Sequence, residues 1–578
     1  MRETCWPAFP ARAAVAPSIT GTSRNDPSRH LTRWPAFLAS LGVALFAAST
    51  TFPAAAAAPA SSDQRTAAAT ASVPSAPGAT NIAVPPPNPT ISQLESDLSH
   101  GRTTVRALTA GYITRIGAID SSGPAIHAVL EVNSEATHIA GDLDARHGKH
   151  GPLFGVPILL KDNIDTGDTM LTTAGSLALT TSKPARDAFI VRRLRASGAV
   201  ILGKTNLSEW ANGRSTRSSS GWSARGGQTK NPYALDRNPC GSSSGSGAAV
   251  AAGLATVAIG TETDGSIVCP SSANGLVGIK PTVGLVSRNG IIPIAASQDT
   301  AGPMAHTVAD AAAVLTVLAG YDPDDPATTP LKSRPTIDYT QFLNAESLKG
   351  IRIGVLRHYA GFHEKVDAIF EGAIATLRAR GAVIVDSVEI PNAEKLDADE
   401  SVILQYEFKD GINRYLSTRK GEGPRTLTDL INYNNEHATT EMPFFQQEQF
   451  LKANACGPLT DKAYVDVHER AKRLAGPEGI DAALAKDHLD VLIAPTLGPA
   501  WTTDLINGDH FLGGNISTAP AVAGYPHVTV PMGFVEGLPV GLSFVGTAWS
   551  EGKLISYAYA YEQATHVARP PEFRQSVP

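Results

Sequence analysis

The chain is 578 residues long, 42% hydrophobic and 18% charged, with a net charge of −6 at pH 7. This is globular composition with ample material for a large core, and an acidic chain without lysine or arginine blocks argues against nucleic acid as a partner. Four cysteines, Cys5, Cys240, Cys269 and Cys456, are too few to scaffold the fold, which must rest on its core.

Near the N-terminus, Arg29, His30 and Arg33 precede a short apolar stretch, residues 37–46, and an alanine-rich run, residues 53–59. Basic segment, apolar segment and small-residue cleavage site together predict a secretory signal peptide over residues 1–58. The apolar segment falls short of the roughly 20 residues a membrane-spanning helix needs, so no stable membrane association is expected. Residues 59–89 are Ala, Pro, Ser and Thr without apolar periodicity, the composition of a disordered linker. Order is expected from Thr90, where Thr90 or Ser92 can cap a helix bearing Ile91, Leu94 and Leu98. A second helix is predicted around residues 105–116, with Leu108, Tyr112 and Ile116 on one face.

Helical and strand patterns then alternate. Strands are predicted at 157–160, running into Lys161, and at 199–202, 256–259, 351–355, 383–385, 491–494 and 527–530. Helices are predicted at 187–197 and 247–254, and residues 398–475 look mainly helical, able to form a lobe over a site. The alternation indicates an α/β fold: one large domain, residues 90–572, with a central mixed β-sheet covered by helices on both faces.

Two motifs mislead. Gly198-Ala-Val-Ile-Leu-Gly203-Lys204-Thr205 matches a phosphate-binding loop literally, but its variable positions are themselves a strand whose amides are consumed in the sheet. Gly241-Ser-Ser-Ser-Gly245 matches a nucleophile elbow centred on Ser243, yet turn-rich polar residues precede it where a buried strand is required.

Three segments carry the chemistry. Gly155-Val-Pro-Ile-Leu-Leu-Lys161-Asp-Asn ends an apolar run on a lysine, where burial would lower its pKa and free a neutral amine as a base. The alternative is a structural ion pair with Asp162. Cys240-Gly-Ser242-Ser243-Ser244-Gly-Ser246-Gly247 has linker composition, but a small-residue helix and a strand follow at once, so its hydroxyls are held in a packed domain. Gly260-Thr-Glu-Thr-Asp-Gly-Ser266 follows a strand and can aim backbone amides at one point, as an oxyanion hole requires; taken alone it is also an ordinary tight turn.

Together these segments resemble the amidase-signature family, and among its members the bacterial peptide amidases most. The family places a lysine after a G-V-P strand, then a serine-glycine cluster, then a nucleophile 24 residues past the first cluster serine, a spacing that selects Ser242 and Ser266. The similarity continues in Gly275-Leu-Val-Gly-Ile-Lys-Pro-Thr282, Asp299-Thr-Ala-Gly-Pro303, Asp490-Val-Leu-Ile-Ala-Pro495 and Ala523-Gly-Tyr-Pro-His-Val-Thr-Val-Pro-Met532.

The resemblance implies a serine amidohydrolase with Lys161 as base, Ser242 as relay and Ser266 as nucleophile. The amides of Thr263, Asp264, Gly265 and Ser266 would form the oxyanion hole, Ser243 would help hold the lysine, and the Gly241–Ser242 peptide would be cis. It implies neither metal nor cofactor, no obligatory protein partner, and amide substrates. C-terminal amides of peptides, hydrolysed with ammonia release by a periplasmic or extracellular enzyme, suit the details of these motifs best. Aliphatic or lipid amides are the alternative, and a catalytically silent peptide-binding protein is the reading from another class. Cys240 lies two residues before Ser242 and Cys269 three after Ser266, so a hydrogen bond between those serines would make the cysteines neighbours. An oxidising compartment would permit a disulfide; two buried thiols are the expectation, because short offsets do not fix the Cβ geometry.

Overall fold

The computed structural model describes residues 88–147 and 150–577. The predicted signal segment, and the predicted linker up to residue 87, lie outside the described residues. The chain that follows forms one compact unit built on an eleven-stranded sheet.

The strands are β1 (Val129–Val132), β2 (Pro157–Lys161), β3 (Val200–Thr205), β4 (Val257–Glu262), β5 (Val277–Lys280), β6 (Thr300–Ala305), β7 (Arg352–Val355), β8 (Val383–Val385), β9 (Val491–Pro495), β10 (His527–Val535) and β11 (Leu538–Val545). Their order across the sheet is β1-β3-β2-β4-β6-β5-β10-β11-β9-β7-β8. Strands β3, β2 and β4 run parallel, as do β9, β7 and β8, while every other adjacent pair is antiparallel. The sheet is therefore mixed, with two parallel triplets joined through an antiparallel centre.

Strict alternation distributes the apolar side chains. Ile158 and Leu160 of β2 enter one core layer, with Ile353, Ile493 and Phe544, beneath the helices Val308–Leu318, Glu364–Ala379 and Glu551–Thr565. Leu159 points the other way, against the helices Ile91–Ser99, Val105–Arg115 and Ser244–Ala251. Further along the same face Leu492 and Ala494 pack beneath Lys462–Ala475. Successive strand residues point to opposite faces, so a sheet covered on both sides reads as unbroken apolar runs.

The first helix begins as expected. Thr90 caps it in a capping box with Gln93. The literal phosphate-loop match is strand β3, and Lys204 is fully buried, donating to Ile164 O and Thr172 Oγ1 at 2.7 Å each. The helices Leu396–Ser417, Leu427–Glu436 and Glu448–Ala455 enclose an apolar cluster with Trp210 and Ile292 and form the expected lobe. Among the described residues no helix is long and apolar enough to cross a membrane.

Ile493 is fully buried in the interior strand β9. Ile493→Ala should destabilise the protein by about 2–5 kcal/mol, read as a lower denaturation midpoint.

Candidate active site

Because β3, β2 and β4 are parallel and adjacent, their C-terminal ends lie side by side, and Thr205, Lys161 and Thr261 share one edge of the sheet. Polar groups gather where these strands stop, the position open α/β sheets use for ligands. Lys161 is fully buried. Its Nζ lies 2.8 Å from Ser242 Oγ, 3.0 Å from Thr261 Oγ1 and 3.2 Å from Thr261 O. Ser242 Oγ is in turn 3.0 Å from Ser266 Oγ. Lysine and both serines thus stand in one hydrogen-bonded line. Ser266 is 9% exposed while Lys161 and Ser242 have no exposure, so only the far end of the line faces solvent.

The ion pair with Asp162 does not form. Asp162 accepts from the Thr173 hydroxyl and lies 3.3 Å from the Arg225 guanidinium. Burial lowers the Lys161 pKa from 10.5 to about 7, against the opposing pull of Glu262 and Asp299. A neutral amine has two N–H groups and one lone pair. In that form, with Thr261 O and Oγ1 taking the two hydrogens, the lone pair would face Ser242.

The Gly241–Ser242 peptide is cis, as expected. Ser243, expected to hold the lysine, does so only through an intermediary. Its hydroxyl donates to Thr261 O at 3.0 Å and accepts from Thr261 N at 3.2 Å, fixing the residue that receives the amine.

The turn carrying Ser266 is braced from within. Glu262 Oε2 accepts from Ile267 N at 2.7 Å and Val268 N at 3.0 Å, closing the turn around the serine. Gly265 has φ +75°, a conformation that calls for glycine, and a Cβ there would press on the Ser517 hydroxyl at 3.0 Å. Among the described residues, the amides of Thr263, Asp264, Gly265 and Ser266 donate to no protein acceptor. The Asp264 side chain turns aside, accepting from Thr518 Oγ1 at 2.9 Å.

Several supporting residues were not singled out from sequence, although Asn163 and Asp299 lie inside quoted motifs. Asn163 Nδ2 donates to Thr261 Oγ1 at 2.9 Å. Asp299 accepts from Thr263 Oγ1 at 2.6 Å and from the amides of Ile294 and Ala295, and burial raises its pKa to about 6. From the lobe, Glu400 accepts from Gln298 Nε2 at 2.6 Å and Tyr415 donates to Asp165 at 2.7 Å. Between lobe and strand ends lies a cavity of about 580 Å³, lined among others by Asn163, Asp165, Thr261, Thr263 and Tyr415. Among the described residues no group of three or more His, Cys, Asp or Glu could hold a metal ion.

The expectation of two buried thiols is overturned: Cys240 and Cys269 form a disulfide, with Cα atoms 5.9 Å apart. That separation is within bridging range. The left-handed turn at Cys240, φ +57°, is the feature that sequence offsets did not carry.

An α/β sheet bearing a buried amine and two hydroxyls in line at its parallel strand ends defines the hydrolytic class of enzyme. The amidase family model matches residues 107–555, and the chain belongs to that family, the amidase-signature enzymes. It is a hydrolase acting on amide C–N bonds. The crystal structure of native peptide amidase from Stenotrophomonas maltophilia is 53% identical, covers 84% of this chain and 98% of its own, and superposes with a TM-score of 0.79. A "Probable amidase" of Arabidopsis thaliana is 42% identical, over 84% of this chain and 91% of its own. A glutamyl-tRNA(Gln) amidotransferase subunit of Pseudomonas syringae is 35% identical, over 84% of this chain and 99% of its own.

If Lys161 acts as its neutral amine, kcat/KM should rise with pH through about 7, where the amine loses its proton, and not near 10.5. A pH–rate profile with no inflection between pH 6 and 8 would contradict a lysine base in this environment.

Proposed function

We propose that this amidase removes the C-terminal carboxamide of short peptides and releases ammonia, through an acyl-enzyme on Ser266. The observation that carries the chemistry is the line from Lys161 through Ser242 to Ser266, whose first two members are fully buried and whose last is 9% exposed. Neutral Lys161 takes the Ser242 proton as Ser242 takes that of Ser266, and Ser266 Oγ bonds to the amide carbonyl carbon. The oxyanion faces the uncommitted amides of the turn 263–266; losing one such donor in comparable sites costs on the order of 10²–10³ in rate. The proton returns along the same line to the departing nitrogen, the C–N bond breaks, and ammonia leaves. Water then attacks the acyl group, giving its proton to the line as Ser266 is released. No step requires a metal or cofactor, and no protein partner is needed to complete the line.

The substrate assignment is supported by likeness to the peptide amidase, 53% identical, against 35% for the tRNA-linked amidotransferase, each over 84% of this chain. Ammonia release should be measured from an N-blocked dipeptide amide, a free amino-acid amide and a fatty-acid amide. The peptide amide should be preferred, and Ser266→Ala should abolish the activity. Preference for either other amide would overturn the substrate assignment, and an active Ser266→Ala variant the nucleophile.

Export is part of the same proposal. It is supported by the basic, apolar and small-residue order of residues 29–59 and by a disulfide, a bond that persists in oxidising compartments. N-terminal sequencing of protein recovered from periplasm or medium should begin near residue 59. Protein retained in the cytoplasm with an uncleaved N-terminus would refute export.

A further inference from the structure

Ser242 and Ser266 sit just inside the two ends of a chain segment that the Cys240–Cys269 disulfide closes, a sequence separation of 29. The segment runs through the helix Ser244–Ala251 and strand β4 before returning to the nucleophile turn. Its two ends meet in three ways. The serine hydroxyls are 3.0 Å apart, Ser243 N donates to Ser266 O at 3.2 Å, and the disulfide lies beyond them. Asn274 adds a brace from the end of the helix Val268–Ala273, donating to Pro239 O at 2.9 Å.

Only the disulfide is covalent. It is buried with Ala273, Leu497 and Trp501, Cys240 being 1% exposed and Cys269 9%. Cys240 is also held in a left-handed conformation that side-chain-bearing residues rarely adopt, with its amide donating to Asn238 Oδ1 at 2.8 Å. A proton line tolerates little displacement: its members must stay within about 2.6–3.2 Å, and a misplacement of about 1 Å can cost roughly 10²-fold in rate.

We propose that the Cys240–Cys269 disulfide is a positioning device for the reaction, clasping the relay and nucleophile turns so that Ser242 and Ser266 stay in line before substrate arrives. Reduction by a dithiol, which is itself oxidised to a disulfide as the cysteines become two thiols, then slows catalysis while the fold persists. This rests on Ser266 as the nucleophile.

The test is the Cys240→Ala/Cys269→Ala double variant, assayed well below its melting temperature. Two quantities are read: the rate of covalent labelling by a fluorophosphonate, which reports serine reactivity without a choice of substrate, and the separate values of kcat and KM. Labelling and kcat should both fall about 10- to 100-fold while KM stays within about threefold. Wild-type labelling and kcat, with only a lowered melting temperature, would make the bridge purely structural and overturn the proposal. Peptide mass mapping of the unreduced wild type should recover one cross-linked pair; finding both cysteines alkylated would overturn it as well.

Should the double variant fail to fold, dithiothreitol-treated wild type with an unchanged circular dichroism spectrum serves instead. Its labelling should fall in step with loss of the bridge and recover on reoxidation, and full labelling with the bridge reduced would overturn the proposal. A Ser266→Ala control that labels like wild type would instead refute the nucleophile, and so separates the two failures.

Discussion

Lys161 ends a strand in which every residue is buried, and among the described residues its amine hydrogen-bonds only to oxygens of Thr261 and Ser242. A charged ammonium in such a place is costly unless a carboxylate answers it, and the adjacent Asp162 is committed to Arg225 and Thr173. The amine is therefore pushed toward its neutral form near pH 7. Much of the surrounding structure serves this one buried group. Ser243 fixes the main chain of Thr261, Asn163 holds its hydroxyl, and Thr261 offers two oxygens to the amine. In the proposed reaction, these contacts would set the direction of the lone pair of the neutral amine and with it that of the proton line.

The sheet topology makes room for that arrangement. Three parallel strands bring their ends together, while the antiparallel neighbours β6 and β5 continue the same layer and hold its edge. The nucleophile turn leaves β4 directly and is gripped from three sides: by Glu262 from its own strand, by Asp299 from the segment before β6, and by Thr518 across the turn. The helical lobe reaches the same region through Glu400 and Gln298. Rigidity at the turn follows from short links to several separate elements, none of which must move to form the line.

Much of this was legible in the sequence. An apolar run ending on lysine, and two serines at a fixed spacing, are local signals that survive without a structure. Seven strands rich in Val, Ile and Leu were equally plain, whereas β1, β5 and β11 were not singled out. Strand β6 was not, because Thr300-Ala-Gly-Pro-Met-Ala carries Gly302 and Pro303, residues that argue against a central strand. Its position explains the glycine: a Cβ on Gly302 would lie 1.9 Å from Ile279 O on the neighbouring strand. The disulfide escaped because it depends on the backbone conformation at Cys240. Glu400 and Tyr415 escaped because polar residues on a long amphipathic helix look like a solvated face until the lobe folds down.

The recess of Ser266 has a consequence for what surrounds the enzyme. Ser266 is only 9% exposed, so in the proposed reaction a carboxamide would have to be carried to it on something narrow. Asparagine and glutamine side chains carry the same carboxamide as an amidated peptide, and any folded protein displays many of them. Under the proposed reaction, that recess would favour the terminus of a peptide over the side-chain carboxamides of a folded protein.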